Sequence, residues 1–259
     1  MEVFTLLALF TFGIVVGSFL NVLIDRLPQG ESPWRGRSHC DHCQKNLAML
    51  DLIPVLSFIF LGGKCRYCHK ALSIQYPVIE LVTGLLFVFT FLYTSQISTS
   101  NFELRTLVLF IIFCSFLVIF MADLKYQIIP DEMVIMLVLG SLIHNFSTNS
   151  NISIYQYIVT GIGAGLFFLV IFIATKGRGM GFGDVKLALV LGLFLGFPQI
   201  IVALYLAFLT GAGVSLILII LKKKKLKARI AFGPFMLSGA VISFFYGGRI
   251  LQWYLNFLR

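Results

Sequence analysis

Two aspartates sit where long apolar stretches meet short polar ones. Asp123 lies in Met121-Ala122-Asp123-Leu124-Lys125, and Asp184 lies in Gly179-Met180-Gly181-Phe182-Gly183-Asp184-Val185-Lys186. A carboxylate beside hydrocarbon is costly unless it is paired, wet or protonated. Two of them at one membrane face could share a proton and activate water, the acid–base chemistry of aspartic proteolysis. Each has a plainer role open to it. Asp123 could be a solvated interfacial charge or the partner of Lys125. Asp184 follows a glycine and could be the N-cap of an apolar helix, and Asp131, after Pro130, reads the same way.

A second constellation is made of sulfur. Cys40-Asp41-His42-Cys43 and Cys65-Arg66-Tyr67-Cys68 are two C-x2-C pairs separated by 21 residues. Two such pairs can supply four thiolates to one tetrahedral Zn²⁺. The alternatives are two disulfides or four unrelated thiols, and cytosolic placement disfavours disulfides. Four cysteines leave no open position for water, so the zinc is expected to be structural. A loop this small and polar needs such a clip to fold. His39, His42 and His69 are read as neighbours of the cluster, although any could replace a thiolate. Cys114 is read as a small apolar packing residue.

The elements that must position these groups are membrane helices. Hydrophobic residues make up 59% of the 259-residue chain and charged residues only 12%, against about 25% charged in soluble domains. The net charge of +9 does not point to nucleic acid, because the basic residues cluster in loops between apolar runs. Eight spans are expected, at 2–24, 77–94, 104–122, 132–146, 153–175, 185–197, 199–221 and 232–256. The first is read as a retained span, since it lacks a basic leader and a small-residue cleavage site. The break Gly196-Phe197-Pro198-Gln199 divides the sixth span from the seventh. The loops 26–76, 123–131, 176–186 and 222–231 hold 17 of the 20 basic residues. The links Ser95 to Asn101 and Ser147 to Asn151 hold no charge. The positive-inside rule then makes the basic loops cytoplasmic and both termini external. Asp123 and Asp184 fall on the cytoplasmic side at similar depth. The Lys222–Lys225 run reads as an anchor to anionic membrane lipids. The fold class is an all-α polytopic membrane protein: span 1–25, a zinc-binding loop domain 26–76, and a membrane domain 77–259.

Glu80, near the cytoplasmic start of the second span, could bind a substrate amine or a partner in the membrane; the alternative is snorkelling to the interface. Gly161, Gly163 and Gly165 mimic a nucleotide fingerprint but follow no strand, so close helix packing is expected. A proton-coupled transporter would be expected to place its carboxylates near the midplane. A zinc-binding adaptor would explain the cysteines and not the aspartates.

Gly17-Ser18-Phe19-Leu20-Asn21-Val22 with Arg26-Leu27-Pro28 resembles the opening signature of type IV prepilin peptidases. The cysteine pairs match that family's loop, as do Asp51-Leu52-Ile53-Pro54-Val55-Leu56-Ser57, Gly63-Lys64-Cys65-Arg66 and Tyr76-Pro77-Val78-Ile79-Glu80-Leu81. Asp123 through Ile129-Pro130-Asp131 is similar to its first aspartate motif. Gly181-Phe182-Gly183-Asp184-Val185-Lys186 is similar to its second, the G-x-G-D motif of intramembrane aspartic proteases. The chain departs from the family at Asp25, Asp41 and Gln75, where an aromatic residue, proline and arginine are often found.

The resemblance implies a bacterial inner- or plasma-membrane enzyme that cuts prepilins and pseudopilins after a glycine, at the cytoplasmic end of their apolar segment. It implies Asp123 and Asp184 as the catalytic pair sharing a proton. Gly181 and Gly183 are expected to let the backbone approach an extended substrate, and Lys186 to contact it. Many members then methylate the new N-terminal amine with S-adenosylmethionine. That activity rests on resemblance alone, because no Rossmann pattern is present. Its site is expected to use the zinc loop and the Gly17–Asn21 region, with Glu80 positioning the amine. A peptidase-only enzyme is the alternative. Oligomeric state is not legible in the sequence.

Overall fold

The computed structural model describes residues 2–40, 42–97, 101–147, 154–177, 179–221 and 231–257. Asp41, Arg178, the Lys222–Lys225 run, Lys227, Arg229 and most of the link Ser147 to Asn151 lie outside the described residues. Among the described residues there are nine α-helices and no strand. They are α1 (Glu2–Arg26), α2 (Leu56–Phe60), α3 (Gln75–Ser95), α4 (Phe102–Tyr126), α5 (Asp131–Ser147), α6 (Ile154–Ala174), α7 (Phe182–Leu195), α8 (Gln199–Ile220) and α9 (Gly233–Phe257).

Each of the eight expected spans is a helix, but only six are long and apolar enough to cross a membrane: α1, α3, α4, α6, α8 and α9. Helices α5 and α7 have 17 and 14 residues. At 1.5 Å per residue they reach only ~26 and ~21 Å, short of a hydrocarbon core about 30 Å thick. The expected count of eight crossings is therefore not met by length. The break after α7 is present. Gly196 ends the helix at φ +69°, a left-handed conformation that L side chains rarely adopt, and its N–H closes on the Gly192 carbonyl at 3.0 Å.

The chain forms two compact units, Met1–Val118 and Ile119–Arg259, with the division inside α4. In the first unit α1 lies against α3 with almost no space between backbones. A Cβ at Gly17 would sit 2.7 Å from Glu80 Cα, and one at Gly13 would sit 2.8 Å from Gly84 Cα. Phe87 of α3 stacks on Phe110 of α4 at 4.1 Å between centroids. The segment between α1 and α3 carries α2, two 3₁₀ turns and two isolated β-bridges, His39 with Asn46 and Lys64 with Ala71.

In the second unit α7 is the central helix, and ten of its 14 residues are buried. An apolar helix this short must be surrounded by protein to be satisfied, and α5, α6 and α9 pack on it. Gly192 meets Gly161 of α6 so closely that a Cβ there would sit 2.8 Å from Gly161 Cα and 2.9 Å from the Thr160 carbonyl. The expected packing role thus holds for Gly161, and for Gly165 against Leu189, but Gly163 faces open space. Buried Asn145 of α5 donates to the Leu193 carbonyl at 2.7 Å, and Ser243 of α9 donates to the Gln199 carbonyl at 2.6 Å.

Candidate active site

Asp123 occupies the last turn of α4 and is 5% exposed, so it is not a solvated interfacial charge. Its Oδ2 accepts the backbone N–H of Gly233, the first residue of α9, at 2.9 Å. Asp184 is the third residue of α7, not its N-cap, and is also buried. Gly181 takes the cap position. The Gly181 N–H donates to Asp184 Oδ2 at 3.0 Å, and the Asp184 N–H donates back to the Gly181 carbonyl at 3.2 Å. Each carboxylate is thus fixed through one oxygen by a backbone N–H at a helix start. Such N–H groups lack intrahelical partners and carry the positive end of the helix dipole, which favours negative charge there. Each Oδ1 has no hydrogen-bond partner among the described residues. The two aspartates are close enough for their charges to interact.

The surrounding residues explain the glycines. Gly183 faces Ile129, whose side chain would lie 3.2 Å from an added Cβ. Gly181 has an extended backbone, with φ −80° and ψ 157°. Lys186, one turn into α7, pairs with Asp131 at 2.6 Å and covers the Phe182 ring at 5.4 Å. Asp131 is therefore the first helical residue of α5 and an ion-pair partner rather than a free cap. Sequence reasoning missed Gly233, whose only signal is a Gly-Pro pair at a span start, 110 positions from Asp123.

The four cysteines converge in the first unit. The sulfurs of Cys40, Cys43, Cys65 and Cys68 lie within 4.8 Å of one another, with Cys40 and Cys68 at 3.9 Å. A tetrahedral Zn²⁺ with bonds of about 2.3 Å needs sulfurs about 3.8 Å apart, so the residues fit the ion. The two knuckles share one backbone design. Cys40 N–H bonds the Lys45 carbonyl at 3.1 Å, and Cys65 N–H bonds the Lys70 carbonyl at 2.9 Å. Gln44 N–H returns to the Cys40 carbonyl, and His69 N–H returns to the Cys65 carbonyl. Gln44 and His69 both have positive φ, 57° and 58°. The backbone amides of Cys68 and Tyr67 lower the Cys65 thiol to about 7, despite its burial. The Lys70 amide acts the same way on Cys68, but burial and the neighbouring sulfurs outweigh it and raise that thiol to about 11. Among the described residues the cluster is sulfur only, with His39, His42 and His69 exposed beside it. Lys45 of the first knuckle covers the Tyr67 ring of the second at 4.4 Å. The Arg26 guanidinium donates to the carbonyls of Ser32, Arg35 and Arg37 at 2.7–3.3 Å, which ties the end of α1 to the approach of the first knuckle.

A cavity of about 280 Å³ opens between α1, this loop and α3. Glu80, 7% exposed, lines it and accepts the Val55 N–H at 2.7 Å. It is buried rather than snorkelling. A larger hollow of about 540 Å³ lies against α6 and α8, but it is lined by no carboxylate, thiol or imidazole.

Known proteins resemble the chain over nearly its full length. Residues 11–94 match the bacterial Peptidase A24 N-terminal domain. Residues 109–216 match the type IV leader peptidase family. A prepilin leader peptidase/N-methyltransferase of Aeromonas hydrophila is 31% identical, covering 96% of this chain and 93% of the relative. A protein of the same description from Bacillus subtilis is 30% identical, covering 96% and 97%. One from Dickeya chrysanthemi is 33% identical, covering 91% of each. No solved structure matches. With apolar helices long enough for several crossings and relatives aligned over nearly their full length, the chain is a multi-pass membrane protein of the type IV leader peptidase family.

Proposed function

We propose that this protein cleaves the leader peptides of prepilins and pseudopilins at the cytoplasmic face of a bacterial inner or plasma membrane, with Asp123 and Asp184 as the catalytic pair. The observation that carries this reading is the pair itself: two buried carboxylates within each other's field, each anchored through Oδ2 and each with Oδ1 unbonded among the described residues. The unbonded oxygens can hold a water and a scissile carbonyl. One carboxylate, ionised, takes a proton from the water as its oxygen attacks the carbonyl carbon. The other, protonated, donates to the carbonyl oxygen. Collapse of the tetrahedral intermediate breaks the C–N bond, and a proton passes to the leaving amine. Two close carboxylates resist double ionisation, so sharing one proton is the natural state of the pair. Gly181 and Gly183 are assigned to let an extended substrate approach the backbone, and Lys186 to contact it. A transporter is disfavoured, because both carboxylates sit at helix ends rather than mid-helix.

The relatives' description includes N-methyl transfer, and the same second activity is proposed here for the region 26–76 with the end of α1. Zinc on Cys40, Cys43, Cys65 and Cys68 holds that region in shape. S-adenosylmethionine, the proposed donor, would supply an electrophilic methyl: the amine nitrogen forms the new C–N bond, the S–C electron pair stays on sulfur, and a proton leaves the nitrogen. Glu80 is assigned to positioning that amine. Incubation of purified protein with a synthetic prepilin and S-adenosylmethionine tests both activities by intact mass. Wild-type cleavage rates in Asp123→Ala or Asp184→Ala protein would refute the first. A cleaved product without added methyl would refute the second.

A further inference from the structure

The first unit's cavity contains an unusual wall. Asn21 of α1 lines it and is 4% exposed. Its Nδ2 donates to the carbonyls of Gly17 at 3.3 Å and Tyr76 at 3.1 Å, yet its Oδ1 has no hydrogen-bond partner among the described residues. A buried carbonyl oxygen without a donor is costly unless something else satisfies it. Glu80 completes the wall, with the Val55 N–H and the Ser18 hydroxyl on its carboxylate. Val55 is itself held at φ 61° and ψ −50°, in a γ-turn closed by Leu56 N–H on the Pro54 carbonyl at 2.6 Å. A β-branched residue is strained there, and such strain concentrates at ligand sites. The cations of the lining are already engaged. Arg66 pairs with Asp51 at 2.6 Å, and Arg26 is bonded to three backbone carbonyls. Beside them the cavity presents a buried acceptor without a donor among the described residues, Asn21 Oδ1, and a buried carboxylate, Glu80, two groups that suit a cation.

We propose that this cavity is the methyl-donor pocket, in which the Glu80 carboxylate and Asn21 Oδ1 recognise the positive charge of S-adenosylmethionine. The assignment rests on the N-methyl-transfer reading above. It also gives Glu80 a double use. The donor is a sulfonium and the incoming amine arrives as an ammonium, so two cations must approach before the ammonium gives a proton to water and frees its lone pair, and a carboxylate beside both offsets their repulsion. The volume, about 280 Å³, lies near the lower end of small-molecule pockets, about 300 Å³.

The test is equilibrium binding of S-adenosylmethionine and of its neutral thioether product, S-adenosylhomocysteine, to the full-length zinc-loaded protein. Wild type should prefer the sulfonium at least tenfold. Glu80→Gln keeps an acceptor for the Val55 N–H but removes the charge. It should bind the two ligands nearly equally, while leader cleavage, measured on the same sample, shows that the protein is folded. Should Glu80→Gln fail to fold, Asn21→Ala serves: it should weaken the sulfonium more than the thioether and spare cleavage. A wild-type sulfonium preference retained in the folded variant overturns the pocket assignment while leaving methylation intact. A wild type that cleaves but neither binds the donor nor methylates overturns the assignment together with the reading beneath it.

Discussion

Asp123 Oδ2 receives the Gly233 N–H at 2.9 Å, and a Cβ at residue 233 would sit 2.5 Å from that same oxygen. Glycine at 233 is therefore a condition for the carboxylate to reach the start of α9. Gly233→Ala should push Asp123 off its anchor. The lost bond to a charged group is worth ~1.5–3 kcal/mol, so cleavage should fall roughly ten- to a hundredfold. Zinc content should not change. Leader cleavage rates beside metal analysis check this.

Two α6–α7 glycine substitutions should diverge. Gly192→Ala forces a methyl into backbone of α6 and should destabilise by ~1–3 kcal/mol through overpacking. Gly163→Ala meets nothing and should be neutral or stabilising by up to ~1 kcal/mol, from helix propensity alone. Thermal unfolding of both variants in one detergent gives the signs.

The sequence showed where carboxylates and sulfurs lie but not what holds them. Eight helices were legible because each is an apolar run bounded by charge, glycine or proline. The number of crossings was not, because hydropathy reads α7 as a span while its 14 residues are buried by protein instead of lipid. The sulfur cluster was legible because its four cysteines come in two local pairs. Gly233 beside Asp123, Asp131 beside Lys186, and Val55 on Glu80 were not legible, since each joins distant residues whose types are unremarkable. The N-cap role left open to Asp184 falls to Gly181, three positions earlier, a margin that only the backbone geometry resolves.

Lys186 should separate binding from chemistry. Its ion pair with Asp131 is well exposed and contributes about 0–1 kcal/mol. Lys186→Ala should therefore leave stability nearly unchanged and raise KM for prepilin with kcat preserved, as expected of a contact equally strong before and during reaction. A fall in kcat at constant KM would contradict the assignment.

The sulfur cluster should hold close to one equivalent of zinc per chain. Cys65→Ser should release most of it and open the segment 26–76 to proteolysis, because among the described residues each knuckle carries only one isolated β-bridge. Acidification should release zinc as well, since the thiolates must be deprotonated to bind. Metal analysis and limited proteolysis across pH follow both effects.

The most direct test of the central claim is leader cleavage by Asp184→Asn protein, purified in detergent and read by intact mass of a synthetic prepilin. Asparagine preserves volume and can still accept the Gly181 N–H, but it cannot take or give the shared proton. Cleavage should fall by about a thousandfold or more, with zinc content and thermal unfolding as in wild type. Cleavage after the glycine at an undiminished rate would contradict the account.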